Sequence, residues 1–324
     1  MVRMRWSLLR SALPRLAFAG LFLVCALILA RDRFWVGELL ASLDWYAGWA
    51  AVGVGGALWL VGGRRLALAA LLLALWLLGP EAALHWPGSR GDAQGRPTLL
   101  VASINLLEMN RSARDLRELL ARERPDVVAF QEQSPFWRQV LESEPLASAY
   151  PHRLAWPDPP RTSPFGLMIA SRLPFVSTRV LDNSEWLPFL EVVLEHDGVP
   201  FHLVDAHPPR PGRAWRIEVR NARLAALGRE LDWGAHSVLL GDLNVSARSS
   251  AFADLLQQTG LRDSRAGFGR QASWRSGSLE RLRPPLRVAI DHVLVGAEIG
   301  VSARWLGPDI GSDHLPVFAR LHVR

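Results

Sequence analysis

The sequence predicts an α+β domain over residues 98–324, carried behind an N-terminal membrane region of three helices in residues 1–86. Three observations predict it. Nearly all of the excess apolar character lies before Trp86. The stretch after it is rich in Gly, Pro and polar residues. From Thr98 onward, short β-rich runs alternate with amphipathic helical ones.

In the membrane region, the first apolar stretch runs from Leu16 to Ala30 between Arg15 and Arg31, and the second from about Trp45 to Val61. The third follows Arg64-Arg65 and runs from Leu66 to His85. A spanning helix needs about twenty residues, with a range of roughly 17–25. Spans are therefore expected over about 13–30, 44–63 and 66–85, the first two completed by flanking Arg and Trp side chains that snorkel to the interfaces. Trp35, Trp45, Tyr46 and Trp86 fall where an aromatic belt would put them. A cleaved signal peptide is the alternative for the first stretch, with Arg3, Arg5, Arg10 and Arg15 ahead of it. No small-x-small cleavage site follows cleanly, however, and two more apolar segments come next. Gly48, Gly53, Gly55 and Gly56 make the second stretch the least hydrophobic, but glycine in membrane helices often marks close packing, so it counts as a span. The distribution of Arg then puts the N-terminus in the cytoplasm. The protein reads as multi-pass in the cell (inner) membrane, with residues 98–324 on the extracytoplasmic side. Residues 87–97 read as a linker.

The net charge of +6 invites a nucleic-acid reading, which the pattern weakens. All 37 basic residues are Arg, no run of five occurs, and several flank membrane segments. Cys25 is the single cysteine, which excludes an intramolecular disulfide and a Cys-based zinc site.

"TLLVASINL" (98–106) reads as a strand ending near Asn105, and "RSARDLRELLARE" (111–123) as a helix with Leu116, Leu119 and Leu120 on one face. "VVAFQE" (127–132) is a second strand, ending at Glu132. Further strands are expected at 165–175, 190–198 and 199–207, the last two joined by a Gly-containing hairpin turn. A helix over about Trp215–Leu231 follows, then strands at 237–245 and 287–295 and one after Asp313-His314.

Polar residues able to bind a metal or handle a proton recur where these strands end: Asn105, Glu132, His207, Asp242 with Asn244, Asp291, and Asp313-His314. Any one of them has a plain explanation as a solvated strand end or tight turn. Their recurrence at successive strand ends does not.

In order, "SIN", "FQE", "GLMIASRLP", "DAHPP", "GDLN", "SW", "AIDHVLV" and "SDHLPV" resemble the signature blocks of the endonuclease/exonuclease/phosphatase superfamily. DNase I-like nucleases, abasic-site endonucleases, neutral sphingomyelinases and inositol-polyphosphate 5-phosphatases are among its members. The resemblance covers roughly residues 98–324, and "GDLN" with "SDHLPV" is its specific part. It implies a four-layer α/β/β/α sandwich and a metal-dependent phosphoesterase that hydrolyses phosphodiester bonds. It also implies the roles. Asn105, Glu132 and Asp313 offer hard oxygen ligands that suit Mg²⁺ (or Mn²⁺). Asp242 would accept the proton of, or orient, the attacking water, and Asn244 would hold the phosphate or Asp242. His314 would handle a proton or contact phosphate, with Asp291 fixing its tautomer, and His207 would donate to a phosphoryl oxygen.

The substrate stays open between nucleic acid and a phospholipid-type ester near the bilayer. A catalytically inactive relative, binding phosphorylated ligands as a membrane scaffold, is the alternative. The acid that orients the counterpart of His207 has no clear equivalent, Asp205 being a candidate on the same strand face. His292 should face away as a structural residue, and Trp274 should pack under or line the site. Arg216 and Arg220 read as an exposed helix face or as contacts to an anionic substrate.

Overall fold

The computed structural model describes residues 2–87, 93, 95–157, 163, 165–181, 188–276 and 286–324, with side chains from residue 12 onward. Four helices come first: α1 (Val2–Leu29), α2 (Trp35–Ala41), α3 (Asp44–Leu60) and α4 (Arg64–Ala83). Part of the expected linker, residues 88–92 and 94, lies outside the described residues.

The rest of the chain supplies fourteen strands among the described residues. These begin with β1 (Leu99–Asn105), β2 (Val127–Gln133), β3 (His152–Trp156), β4 (Gly166–Ser171) and β5 (Phe175–Leu181). Next come β6 (Phe189–His196), β7 (Val199–Ala206), β8 (Ser237–Asp242), β9 (Arg262–Asp263) and β10 (Trp274–Arg275). The last are β11 (Arg287–Val288), β12 (Asp291–Val295), β13 (Ile299–Leu306) and β14 (Val317–Val323). The helices among them are α5 (Ala113–Glu123), α6 (Pro135–Leu141), α7 (Leu146–Ala149), α8 (Ala214–Glu230) and α9 (Ser250–Thr259).

Two six-stranded sheets result, in the orders β13-β14-β1-β2-β4-β3 and β5-β6-β7-β8-β12-β9, beside a small β10-β11 ribbon. Alternation along each strand builds the layers. Leu99 and Val101 of β1 face the other sheet, where they join Val127, Ile169, Leu203, Val238 and Val293 in one core. Leu100, Ala102 and Ile104 face the opposite way, onto Leu116, Leu119 and Leu120 of α5 and Trp137 and Val140 of α6. The second sheet does the same: Val204 and Leu239 meet Leu224 and Leu227 of α8 and Phe252 and Leu255 of α9. The expected α/β/β/α sandwich is what forms. Strands covered on both faces must be apolar at consecutive positions, which is why these runs read as continuous rather than alternating. Each fully buried Leu, Ile or Val contributes roughly 1.5–3 kcal/mol relative to an exposed one.

Both sheets contain one parallel pair, β1 with β2 and β7 with β8. Crossover helices α5 and α8 make those connections, so the C-terminal ends of all four strands gather at one edge of the sandwich. The expected hairpin turn is Asp197-Gly198, with φ of 53° and 75°, the two left-handed residues of a tight turn between β6 and β7.

The structure corrects the membrane reading in one respect. Two helices, with windows Ala12–Leu29 and Arg64–Ala83, are long and apolar enough to cross a membrane, not three. The second expected span folds as α3, only 17 residues long. At 1.5 Å per residue it falls a few ångström short of a hydrocarbon core of about 30 Å. Its first residue, Asp44, is committed to the sandwich, where it accepts from Arg248 Nε at 2.6 Å. The glycines do mark close packing. A Cβ at Gly48 would sit 2.5 Å from Leu78 Cγ, and one at Gly55 would sit 3.2 Å from Leu71 Cγ, so α3 runs antiparallel against α4.

The N-terminal helices dock on the sandwich through their ends. Tyr46 Oη accepts from Arg287 N at 2.6 Å, and Gly267 N and Gly269 N both donate to the carbonyl of Leu84.

Candidate active site

Asp242 is the last residue of β8, buried at 2% exposure and paired in register with Asp291 at the start of β12. Gly241 makes that ending possible. Its φ is +142°, and an added Cβ would lie 2.0 Å from the carbonyl oxygen of Ala206 on β7. After Asp242 the chain turns back on itself: Asn244 has φ +51°, its N–H donates to Asp242 Oδ1 at 2.9 Å, and its side-chain amide donates to the carbonyl of Pro208 at 3.1 Å. Glu132, near the end of β2, is also left-handed at φ +54°, where the β2–β4 register slips. Such positions cost of order 1–3 kcal/mol each and persist where the surroundings dictate them.

These strand ends meet. Asn105 Nδ2 donates to Asp242 Oδ2 at 3.1 Å and to Glu132 Oε1 at 3.3 Å, linking the two sheets. His207 lies between the same two acids, its Nε2 at 3.6 Å from Glu132 Oε1 and its Nδ1 at 3.1 Å from the Asp242 carbonyl, to which it donates. On the other side, His314 Nδ1 donates to Asp291 Oδ2 at 2.9 Å and its Nε2 stands 3.5 Å from Asp242 Oδ2. Asp313 accepts from Trp274 Nε1 at 3.0 Å, and its Oδ1 lies 3.9 Å from His314 Nε2.

The electrostatics follow from burying acids and imidazoles together. Burial alone would lower the pKa of both histidines. The carboxylates outweigh it, pushing His207 up to about 9 through its hydrogen bond to Glu132 and the charge of Asp242. His314 is pushed up to about 10 by the charges of Asp291 and Asp242. Burial would raise Glu132, but His207, the Glu108 N–H and Asn105 hold it down at about 2. Asp242 goes the other way: burial raises it, and the nearby charge of Asp291 adds to that.

Every residue given a catalytic or metal-binding role from the resemblance therefore reaches this one edge. Asn105, Glu132, His207, Asp242, Asn244, Asp291 and His314 form a continuous contact set, and Asp313 adjoins it through His314. Among the described residues, Asp242, Asp291 and His314 offer ligand atoms within 4.8 Å of one another, the spacing of a metal group. With His314 Nδ1 bonded to Asp291, the three make an acid–imidazole–acid chain. That group shares no residue with the ligands expected from the sequence: Asn105 Oδ1 accepts from Leu107 N, Glu132 accepts from Asn105 Nδ2, and Asp313 lies 3.9 Å from His314 Nε2. All three are hard oxygen donors, the type that suits Mg²⁺ or Mn²⁺.

Some expectations change. Asp205 does not orient His207: it accepts from Gln131 Nε2 at 2.7 Å, while the His207 ring turns to the Asp242 carbonyl. Burial pushes Asp205 up to about 8, which favours its protonated form. Arg220 is neither an exposed helix residue nor a substrate contact, being 1% exposed and ion-paired with Glu38 at 2.8 Å. His292 is structural as expected, buried with Nε2 donating to the carbonyl of Val245 at 2.8 Å.

Two supporting residues, Ser312 and Ser273, were given no role from the sequence, and Arg220 was given a different one. Ser312 Oγ donates to the carbonyl of Asn105 at 2.8 Å and accepts from the N–H of His314 at 3.1 Å, tying the Asp313-His314 loop to β1. Ser273 hydrogen-bonds Asp291, and Arg220 donates to the carbonyl of Asn244 at 2.9 Å. Ser312 and Ser273 stand in the blocks "SDHLPV" and "SW", which was the signal available for them.

A model of the Endonuclease/Exonuclease/phosphatase family matches residues 102–314. Solved structures share the fold. That of D. rerio TDP2 complexed with a single-strand DNA product aligns with a TM-score of 0.57 at 19% identity, covering 70% of this chain and 99% of that one. An endonuclease/exonuclease/phosphatase from Beutenbergia cavernae aligns with a TM-score of 0.55 at 23% identity, covering 70% and 72%. A family protein from Leptotrichia buccalis gives 0.51 at 14% identity, covering 69% and 99%. No curated protein matches the chain in sequence.

Proposed function

The chain belongs to the Endonuclease/Exonuclease/phosphatase family, and from that premise we propose that it is a divalent-metal-dependent phosphodiesterase held at a membrane by its N-terminal helices. The observation that carries the reading is the chain Asp291–His314–Asp242, met at Asp242 by Asn105, His207 and Asn244. A catalytically inactive relative would be expected to lack one of these groups, and all are present.

Phosphodiester hydrolysis needs a water aimed in line, charge neutralised on the phosphoryl oxygens, and help for the leaving oxygen. Asp242 is the group that receives or orients the water's proton, its two oxygens held by the Asn244 N–H and the Asn105 amide. Asp291 holds His314 with Nδ1 protonated, which turns Nε2 toward the reacting centre. His207, favoured in its charged form, donates to a phosphoryl oxygen as negative charge builds. Asn105, Glu132 and Asp313 would hold Mg²⁺ or Mn²⁺, which supplies positive charge to the phosphoryl oxygens.

The membrane reading rests on α1 and α4. Leu68, Leu72 and Leu75 of α4 and Leu16 and Phe22 of α1 are exposed, as lipid-facing positions require.

The deciding experiment is turnover of bis-(p-nitrophenyl) phosphate by the full chain in detergent, with Mg²⁺, Mn²⁺ or EDTA. Metal-dependent release of nitrophenolate supports the reading, and no release under any condition overturns it. The single-strand DNA product on D. rerio TDP2 makes DNA one substrate to test. The apolar helices make sphingomyelin and phosphatidylinositol phosphates the others.

A further inference from the structure

Arg220, on α8, points its guanidinium in two directions at once. One terminal nitrogen donates to Glu38 Oε1 at 2.8 Å and the other to the carbonyl of Asn244 at 2.9 Å. Nε and the nitrogen that bonds Glu38 also donate to Asn221 Oδ1, at 3.0 and 2.6 Å, so Glu38 and Asn221 together hold that end of the guanidinium. Glu38 belongs to α2, in the helical region 182 residues away in the chain, and both side chains of the pair are closed to solvent, at 2% and 7% exposure. Asn244 is the left-handed residue whose N–H and side chain hold Asp242 and the Pro208 carbonyl. Four residues further on, Arg248 donates to Asp44 of α3 at 2.6 Å and to the carbonyls of Trp76 and Leu77 of α4 at 2.8 and 2.6 Å. The segment from Asp242 to Arg248 is thus gripped at two points by the N-terminal helices.

We propose that Glu38, acting through Arg220, is a positioning residue for the active site, so that the N-terminal helices are part of the catalytic framework as well as an anchor. The physical basis is that a buried guanidinium held by a buried carboxylate has one available orientation. Its remaining donor then fixes the carbonyl of a residue in an unfavourable backbone region. Removing the Glu38 charge leaves Arg220 uncompensated in a closed site. The guanidinium re-orients, the Asn244 carbonyl loses its donor, and Asp242 loses the geometry that aims the water. A shift of about 1 Å at such a group costs on the order of a hundredfold in rate. Glu81 is the internal comparison. It is also a docking acid, 3.7 Å from Arg265, but Arg265 bonds to Asp263 and the Arg270 carbonyl and touches no residue of the site.

The inference rests on the phosphodiesterase reading for its kinetic test, and hydrogen exchange tests it separately. In the full chain in detergent, Glu38→Gln should lower kcat for bis-(p-nitrophenyl) phosphate about tenfold or more with KM within about twofold of wild type. It should also speed amide exchange across residues 242–248. Glu81→Gln should lower Tm while leaving kcat and that exchange unchanged. The double variant Glu38→Arg with Arg220→Glu restores an ion pair but no donor for the Asn244 carbonyl, so Tm should recover and kcat should not. If Glu38→Gln fails to fold, Arg220→Lys takes its place: it keeps the charge on Glu38 and loses the forked geometry, and the same fall in kcat is expected. Wild-type kcat and exchange in Glu38→Gln, or recovery of kcat together with Tm in the swapped pair, would reduce Glu38 to a tether and overturn the proposal. An inactive wild type with faster 242–248 exchange in Glu38→Gln would remove the phosphodiesterase reading and leave the coupling standing.

Discussion

His314 Nδ1 lies 2.9 Å from Asp291 Oδ2, and the pair is buried at 5% and 1% side-chain exposure. The contact leaves Nε2 as the free face of the ring, turned to Asp242 at 3.5 Å. Strand pairing sets it up: β12 runs antiparallel to β8 so that Asp291 stands opposite Asp242, and the Asp313-His314 loop crosses above them. One carboxylate of the facing pair fixes the imidazole and the other meets its working nitrogen.

Asp291→Asn should therefore lower kcat by about two orders of magnitude or more, because an amide neither supports the charge on His314 nor holds its ring as firmly through Nδ1–H. Asp242→Asn should cost at least as much by removing the proton acceptor itself. Circular dichroism should report a folded protein in both cases. Near-wild-type turnover of a confirmed phosphodiester by either variant would mean the roles are misassigned.

Activity should disappear with EDTA and return with Mg²⁺ or Mn²⁺. Glu132→Gln should raise the metal concentration needed for half-activity several-fold, since one of few anionic ligands is neutralised. Titrating metal against rate in wild type and variant measures this directly. An unchanged midpoint would take Glu132 out of the ligand set.

Asp263 is paired with Arg265 at 2.7 Å, with the guanidinium buried at 1% and the carboxylate half-buried at 15% side-chain exposure. Burial would raise the carboxyl, but the Arg265 guanidinium and its hydrogen bonds outweigh that and hold the folded-state pKa well below the usual range. The unfolded chain, near about 3.9, binds the proton first as pH falls. The pair's contribution is therefore present above about pH 4 and is lost as the pH drops further. Melting temperatures measured between about pH 6 and 3 should fall along the acid limb, and Asp263→Asn should make that limb shallower. Parallel curves for the two proteins would exclude Asp263 as a source of the acid dependence.

What the sequence determined by itself was local in its physics. Continuous apolar runs gave away β1, β2, β4 and β8, because a strand buried on both faces has no polar position to hide, and β6, β7 and β14 showed as partly polar runs. The metal-capable and proton-handling residues showed for a related reason, since each stands where such a run starts or stops. β3 and β13 did not show, as His, Arg and Ser occupy their half-buried positions, and neither did α9, although Ser249 caps it and Gly260 ends it. The run 287–295 reads as one strand but breaks at Ala289-Ile290, where pairing passes from the Trp274 ribbon to β8. Only the tertiary structure decided that Arg220 is buried, that Asp205 turns to Gln131, and that α3 is too short to count by length as a span. The reason is the same in each case. A helical or strand period reports which face a residue takes, whereas the partner that fixes an ion pair or hydrogen bond comes from a distant element, as Glu38 comes to Arg220 across 182 residues.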